Sequence, residues 1–213
     1  MNKTEKLNKS RLYAIIDRRF LNRWSFEELI CIFADNGVDI VQLREKRINR
    51  SKLLDYARQL QELCSKHNLI FILNDYPEIT KEVETDGLHI GVDDGRVGII
   101  RKKIGENKII GWSATNMEEA LKGVEDGADY LGVGAIFPTS TKGDAKLVSE
   151  IKLAEIDKAC SIPVFAIGGI NPLNLSRLIE LEIRRVVICQ ALLESDDLIR
   201  DLRFFRRRLD GLL

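Results

Sequence analysis

The chain has 213 residues, of which 45% are hydrophobic, and this is enough for one full-sized core. Its 33 lysines and arginines balance 33 aspartates and glutamates, so no net charge would draw it to a nucleic acid or a membrane surface. A small anionic ligand held by local cations fits this composition, and so does a homo-oligomer.

The first ten residues are polar and charged, and no apolar stretch reaches the roughly 20 residues that cross a bilayer. We therefore expect no signal peptide, a flexible N-terminal leader over residues 1–10 and a single domain over residues 11–213. The four cysteines have neither metal-site nor CxxC spacing, which is typical of reduced core residues in a cytoplasmic protein. They are Cys31, Cys64, Cys160 and Cys189.

Eight short apolar runs rich in β-branched residues recur along the chain. Their near-continuous hydrophobicity is typical of parallel strands that are buried on both faces. In chain order the predicted strands are LYAIID (12–17), IVQLRE (40–45), IFILND (70–75), GLHIGV (87–92), IIGWSA (109–114), YLGVGAIF (130–137), PVFAIGG (163–169) and RVVICQA (185–191).

Helical segments separate these runs, and several begin at recognisable caps. Residues 25–28 and 115–118 have the spacing of a capping box, and Asn171-Pro172 predicts a cap before a first-turn proline. Eight strands that alternate with helices predict an α/β fold, a closed (β/α)8 TIM barrel in a single domain. An open doubly wound sheet is the alternative, but the chain carries no dinucleotide fingerprint.

The carboxyl ends of the strands form the active face of such a barrel, so polar residues there are candidates for function. Strand two ends in QLREK (42–46), and alternation places Gln42, Arg44 and Lys46 on one side. Two cations and an amide that point the same way indicate an anion site, although a solvated strand end explains the motif equally well. Ser113, near the end of strand five, is a separate candidate that helix capping does not explain.

Strands three and four both end in carboxylates, at Asn74-Asp75 and at Asp93-Asp94. Carboxylates at neighbouring strand ends are natural ligands for a hard cation such as Mg²⁺, together with waters and substrate phosphates. A turn and helix cap at the second pair is the structural alternative. The metal site is the favoured interpretation. His89, inside strand four, is expected to be a hydrogen-bonded core histidine.

Strand six ends in PTSTK (138–142), which fits either a surface turn or a grip for a phosphate. Thr139 and Thr141 supply hydroxyl donors, and Lys142 supplies a point charge. Strand seven ends in a glycine pair that includes Gly169, where the absence of side chains lets a phosphate approach the backbone and the next helix.

Six segments carry a family resemblance: QLREK (42–46), LND (73–75), DGLHIGVDD (86–94), GWSA (111–114), GADYLGVGAIFPTSTK (127–142) and IPVFAIGGI (162–170). In this order and spacing they resemble the thiamine phosphate synthase family, over nearly the whole chain. The PTxTK segment together with QxREK and the ND pair is the most specific part.

The resemblance implies a transferase that uses Mg²⁺ to join 4-amino-2-methyl-5-hydroxymethylpyrimidine diphosphate to 4-methyl-5-(2-hydroxyethyl)thiazole phosphate. The products are thiamine phosphate and pyrophosphate, and the reaction passes through a pyrimidine carbocation. By resemblance the catalytic residues are Lys142, Arg44 and Ser113, and the metal ligands are Asp75 and Asp94. The implied substrate-binding residues are Gln42, Arg44, Lys46, Asn74, Ser113 and Lys142 for the pyrimidine diphosphate, and Thr139, Thr141, Gly169, Cys189 and Gln190 for the thiazole phosphate.

The chain departs from the family pattern beside strand eight. Gln190 stands where a small residue is usual, and LEIRR (181–185) stands where the family often has a GADG-like turn. A non-catalytic binder of thiamine precursors is therefore kept as an alternative. A thiazole tautomerase-like isomerase, which shares the barrel and the GGI segment, is another. The expected partners are small-molecule substrates, with no nucleic acid and no membrane.

Overall fold

Eight parallel strands close into a barrel in the computed structural model, which describes residues 2–21, 23–141 and 146–212. Each strand pairs with the next one along the chain, and the last pairs back with the first. The prediction of a single-domain (β/α)8 barrel is confirmed. The strands are β1 (Leu12–Asp17), β2 (Ile40–Arg44), β3 (Ile70–Asn74), β4 (Gly87–Ile90), β5 (Ile109–Ala114), β6 (Tyr130–Val133), β7 (Val164–Ile167) and β8 (Val186–Ile188).

Helices connect the strands and pack against them. Within the described ranges, none of these helices combines the length and the apolar character needed to pass through a bilayer. The helices are α1 (Lys3–Lys9), α2 (Phe26–Asp35), α3 (Arg50–Lys66), α4 (Pro77–Val83), α5 (Val97–Ile104), α6 (Met117–Glu125), α7 (Glu150–Ala159), α8 (Leu175–Glu180), α9 (Gln190–Leu193) and α10 (Leu198–Leu209), with a 3₁₀ turn at Val92–Asp94 before α5.

Two apolar layers hold the barrel together. Side chains that include Ile15, Ile72, Tyr130 and Phe165 form one buried cluster, and a larger cluster joins the strands to the helices. Alternate strand residues supply the two layers, which explains why the strands appear in the sequence as continuous apolar runs. Because side chains fill the middle of the barrel, a ligand site belongs at the ends of its strands.

Residues 3–9 form helix α1, where the sequence predicted a loose leader. Asn2 and Glu5 form a capping box at its start. Leu7 is only 1% exposed, because it packs into the cluster inside the barrel. Leu7 is the one large apolar residue of residues 3–9, so this segment has no apolar periodicity that would have predicted a packed helix.

Strand β6 ends at Val133, four residues earlier than predicted. The backbone continues beside β7 without strand geometry, and the N–H groups of Ile136 and Phe137 donate to the carbonyls of Ile167 and Gly168 at 2.9 and 3.0 Å. These bonds carry the following PTST segment towards the carboxyl end of β7.

Two of the predicted helix starts are wrong. At α6 the cap is Asn116 rather than Thr115. Asn171 and Pro172 do not cap a helix, because α8 begins only at Leu175. A turn, and not a helix N-terminus, therefore follows β7. The capping box predicted for α2 is present.

Candidate active site

A buried carboxylate organises the ends of strands β1 and β2. Asp17 is the last residue of β1 and is 2% exposed. It accepts hydrogen bonds from Nη2 and Nε of Arg19 at 2.7 and 3.0 Å, and from Nη1 of Arg44 at 2.8 Å. Burial alone would raise the pKa of this carboxyl group, but the bonds from Arg19 and the charge of Arg44 hold it below its usual value. Asp17 is therefore an ionised anchor for two guanidinium groups.

A cavity of about 350 Å³ lies beside this anchor. Four cationic side chains and two carboxylates line it, so its walls are net positive and suit an anion. Arg44 and Lys46 of the QLREK motif both belong to this wall, whereas Gln42 is only 3% exposed and lies inside the barrel. The lining residues are Asp17, Arg19, Arg44, Glu45, Lys46, Arg47 and Thr141.

A pair of carboxylates follows strands β3 and β4. Asp75 lies 3.6 Å from Nζ of Lys46, and Asp94 accepts a hydrogen bond of 2.7 Å from the N–H of Gly91. Burial, followed by the negative charge of Asp94, raises the pKa of the Asp75 carboxyl group, whereas Lys46 lowers it. Two carboxylates that repel each other in this way are placed to share a cation.

The chemistry of the carboxylate pair fits Mg²⁺, and the backbone at Asp75 is strained. Asp75 and Tyr76 have φ of 60° and 58°, the left-handed region that side chains other than glycine rarely adopt. Such strain is concentrated at functional sites. No cluster of three or more His, Cys, Asp or Glu side chains forms a metal cage within the described ranges. A two-carboxylate site suits Mg²⁺, which keeps waters and binds substrate phosphates. Asn74, half-buried at the end of β3, directly precedes the pair.

Five polar side chains form one hydrogen-bonded chain through the interior of the barrel. Nε2 of Gln42 donates to the Tyr13 hydroxyl at 2.6 Å, and that hydroxyl lies 2.9 Å from the hydroxyl of Tyr130. Nδ1 of His89 lies 3.0 Å from the Tyr130 hydroxyl, and its Nε2 lies 2.9 Å from Oγ of Ser113. Burial lowers the pKa of His89 to about 4, so the ring is neutral at neutral pH. The prediction of a hydrogen-bonded core histidine is confirmed.

Glycines on two neighbouring strands make room for this interior chain. A Cβ atom on Gly111 would lie 2.1 Å from Cζ of Tyr130 and 2.5 Å from Nδ1 of His89. A Cβ atom on Gly132 would lie 3.2 Å from the His89 ring. The missing side chains at both positions are therefore a packing requirement of the polar chain.

The segment after β6 is bonded to residues that follow strands β1 and β8. Oγ of Ser140 donates to Oε1 of Gln190 at 2.7 Å, and Nη2 of Arg19 donates to the carbonyl of Thr141 at 2.8 Å. The Thr139 hydroxyl accepts from the N–H of Thr141 at 3.2 Å. The segment is thus a hydrogen-bonded turn and, at Thr141, part of the pocket wall.

Backbone packing requires a glycine at position 169, which the sequence alone did not show. Its φ is 63°, and a Cβ atom on it would lie 2.4 Å from the carbonyl oxygen of Pro138. Its missing side chain therefore serves the close contact between the segments that follow β6 and β7. Lys142, predicted in the same region, lies outside the described residues.

The thiol at the end of β8 is not ionised. Burial, and then the charge of Asp17, raises the pKa of Cys189 to about 12, so the thiol is protonated and a poor nucleophile at neutral pH. Elsewhere, Sγ of Cys31 lies 3.6 Å from Nε2 of His67. His67 caps the carboxyl end of α3, just before β3 begins, so this pair lies at the end of the barrel opposite the pocket.

No sequence motif pointed to Asp17 and Arg19. The available signal was a charge at the end of the otherwise apolar run LYAIID, because a buried carboxylate needs a partner. The structure brings the missed pair together with Arg44, and it places Lys46 between that cluster and Asp75.

The fold and the site together define a (β/α)8 barrel with a net positive pocket and a carboxylate pair at the carboxyl ends of its strands, the end where enzymes of this fold carry their active sites. A family model described as "Thiamine monophosphate synthase" matches residues 12–192. The chain belongs to the thiamine monophosphate synthase family.

Named relatives agree with this assignment. The chain is 41% identical over 186 residues to the thiamine-phosphate synthase of Clostridium tetani, a match that covers 87% of this chain and 89% of that one. It is 40% identical over 168 residues to the thiamine-phosphate synthase of Caldanaerobacter subterraneus, covering 79% and 78%. A solved thiamine phosphate pyrophosphorylase from Pyrococcus furiosus is similar over 100% of both chains, with a TM-score of 0.86 and 28% identity. The resemblance predicted from the motifs is confirmed.

Proposed function

We propose that this chain joins 4-amino-2-methyl-5-hydroxymethylpyrimidine diphosphate to 4-methyl-5-(2-hydroxyethyl)thiazole phosphate and releases thiamine phosphate and pyrophosphate. One observation carries the proposal. A net positive pocket lies next to a pair of mutually repelling carboxylates. Lys46 lines the pocket and also lies close to Asp75, one of the two carboxylates. The names of the relatives support the same reaction.

The cationic wall is proposed to hold the diphosphate leaving group. The ring amino group of the pyrimidine feeds electrons towards the methylene carbon as its C–O bond breaks, and the bonding electrons leave with pyrophosphate. Positive charge that is fixed beforehand stabilises this departure. Arg44 and Lys46 supply such charge, Asp17 holds Arg44 in place, and Lys142 adds a further cation by resemblance. Asn74 and Ser113 are proposed to bind the same substrate.

The nitrogen of the thiazole is proposed to capture the pyrimidine cation, which forms the new C–N bond. This step needs no nucleophile from the protein, in agreement with the protonated thiol of Cys189. It does need water to be excluded, because water would consume the cation. The residues proposed for the thiazole phosphate are Thr139, Thr141, Gly169, Cys189 and Gln190, and the bond from Ser140 gives the unusual Gln190 a role in bracing this wall.

Asp75 and Asp94 are proposed to hold Mg²⁺. When bound, the metal supplies additional positive charge at the diphosphate. The strained backbone at Asp75 and the raised pKa of its carboxyl group support this assignment. Lys46, close to Asp75, connects the metal ligands to the cationic wall.

The test is to incubate the purified chain with both precursors and Mg²⁺ and to quantify thiamine phosphate and pyrophosphate. Equal amounts of the two products are expected, and omission of the thiazole phosphate should abolish thiamine phosphate. A tautomerase-like isomerase would change only the thiazole precursor. A non-catalytic binder would bind the precursors without product. Either result would overturn the proposal.

The proposed partners are these two small-molecule substrates, without nucleic acid, because the charges of the chain balance. A cytoplasmic location is proposed as well. The free thiols of Cys31, Cys64, Cys160 and Cys189 support a reducing compartment.

A further inference from the structure

The hydrogen-bonded chain inside the barrel has a direction that its chemistry sets. Gln42 donates through Nε2, an atom that cannot accept. The Tyr13 hydroxyl therefore accepts from Gln42 and has one proton to donate, and the Tyr130 oxygen lies 2.9 Å away to receive it. The single proton of Tyr130 then goes to Nδ1 of His89, at 3.0 Å.

This direction sets the tautomer of His89. A neutral imidazole that accepts at Nδ1 carries its proton on Nε2. Nε2 lies 2.9 Å from Oγ of Ser113, so His89 donates and Ser113 accepts. The Ser113 hydroxyl can then donate its own proton only to a group outside these five hydrogen-bonded side chains.

The opposite direction leaves a buried proton without an acceptor. If His89 donated from Nδ1, Tyr130 would have to donate to Tyr13, which would then accept two hydrogen bonds. With the Gln42 amide as the structure has it, the proton of Tyr13 would then have no acceptor, although Tyr13 is only 1% exposed; the amide would have to turn over and present Oε1. Buried donors of this kind are strongly disfavoured.

Packing holds the rings of this chain in place. Phe165 stands edge-on to Tyr13 and to Tyr130, with ring centroids 5.7 and 5.6 Å apart. Gly111 lies against Tyr130 and His89, and even one Cβ atom at this position would collide with both side chains. Rings confined in this way cannot turn to other partners. The donor at the Gln42 end therefore fixes which group donates at each step up to Ser113.

We propose that Tyr13, Tyr130 and His89 are positioning residues that lock Ser113 as a hydrogen-bond donor towards the pyrimidine substrate. The identity of that substrate rests on the proposed function above. The proton of Ser113 then needs an acceptor on the substrate, such as a ring nitrogen or a diphosphate oxygen. An analogue that presents only an N–H group at this point leaves the Ser113 proton without an acceptor and binds more weakly.

The tautomer of His89 is read directly from the ¹⁵N chemical shifts of its ring nitrogens. The chain has two histidines, so His67→Asn removes the other set of signals. At neutral pH we expect a protonated Nε2 and an unprotonated Nδ1 on His89. A protonated Nδ1 would overturn the proposal whatever the activity of the chain.

Tyr130→Phe and Tyr13→Phe form a matched pair, because each removes one buried hydroxyl but only the first removes a contact to His89. Tyr130→Phe should give a mixture of His89 tautomers and lower kcat/KM for thiamine phosphate synthesis about tenfold, the scale of one misdirected hydrogen bond. Tyr13→Phe leaves Tyr130 able to donate to Nδ1 and should keep the tautomer. Equal tautomer shifts in the two variants, or an unchanged kcat/KM in Tyr130→Phe, would contradict the proposal.

A second pair of variants decides the question if Tyr130→Phe does not fold. The amide nitrogen introduced by His89→Gln takes the place of Nε2, whereas the one introduced by His89→Asn takes the place of Nδ1. His89→Gln should therefore retain several-fold more activity, and equal losses would contradict the proposal. If the wild-type protein makes no thiamine phosphate, the proposed function is wrong, and so is the role of Ser113 in it. The ¹⁵N shifts of His89 still show the direction of the hydrogen-bonded chain, so the two failures are distinguishable.

Discussion

Replacement of Asp17 by asparagine tests whether this buried carboxylate sets the positive wall of the pocket. The side chain keeps its shape, but it loses its charge and one oxygen becomes an NH₂ donor. Nη2 of Arg19 and Nη1 of Arg44 both donate to Oδ2 of Asp17, whereas Nε of Arg19 donates to Oδ1. An amide nitrogen at either position therefore faces at least one guanidinium N–H, donor to donor, and the oxygen that remains is uncharged. We therefore expect Arg19 to lose part of its bonding, and Arg44 to lose its charged partner and its fixed position.

The magnitude follows from the bonds that are lost. Asp17 accepts from Nη2 and Nε of Arg19 at 2.7 and 3.0 Å and from Nη1 of Arg44 at 2.8 Å. A hydrogen bond to a charged group contributes about 1.5–3 kcal/mol. Loss of the bond to Arg44 alone then lowers kcat/KM on the order of 10–100-fold, if Arg44 must face the diphosphate. The free energy of unfolding should fall by about 2 kcal/mol, because the arginines can still reach solvent.

The assay is steady-state kinetics with the pyrimidine diphosphate varied, beside urea unfolding of the same samples. Asp55→Asn is the matched control, since Asp55 is exposed on α3 and makes no ion pair in the part of the chain that the structure describes. Asp55→Asn should change the free energy of unfolding by no more than about 0.5 kcal/mol, and kcat/KM by no more than the same free energy corresponds to. If Asp17→Asn destabilised the fold but kept kcat/KM within about threefold, the carboxylate would be purely structural and our account of the pocket would be refuted.

Three further predictions concern proton binding, the metal and the backbone. Burial lowers the pKa of His89 to about 4, so below about pH 6.5 the unfolded state binds a proton that the folded state resists. The free energy of unfolding should therefore fall as the pH drops from about 6.5 to 4, and fall less in His89→Gln; parallel curves would contradict this. Mg²⁺ should raise the melting temperature of the wild-type chain and of Asp93→Asn but not of Asp75→Asn, and full activity after exhaustive chelation would exclude the metal role. Gly169→Ala should lower the free energy of unfolding by about 2–4 kcal/mol, because its φ of 63° and a 2.4 Å contact both oppose a Cβ atom. Gly127→Ala, with φ of 91° and open space around it, should lower it by only about 1 kcal/mol; equal losses would show that the contact is unimportant.

The strands were predictable because burial on both faces leaves a local signal. The apolar runs of β1 and β5 match the structure residue for residue, and most other bounds agree within two residues. Strand β6 is an exception, because the N–H groups of Ile136 and Phe137 bond to the backbone of β7 outside strand geometry. That bonding depends on how two distant segments meet, which no local pattern records.

The candidate site was predictable where a polar residue interrupts a strand end, as at Arg44, Lys46 and Asp75. The anchor at Asp17 was missed, since its meaning depends on an arginine 27 residues further along the chain. The link from His89 to Ser113 was missed for a similar reason. Each residue has a satisfactory local explanation, and only the closed barrel turns both side chains towards the same interior.

Helix α1 precedes every strand in the chain, yet residues far along the chain build the surface on which it docks. Leu7 packs in the cluster that contains the first residues of β2, β3 and β5, and Lys3 pairs with Asp86 at 2.6 Å. Contacts so distant in sequence are costly to close in the unfolded chain, so we expect them to form late in folding. The amide protons of α1 should therefore become protected against hydrogen exchange no earlier than barrel closure, which makes this short helix a reporter of the final folding step.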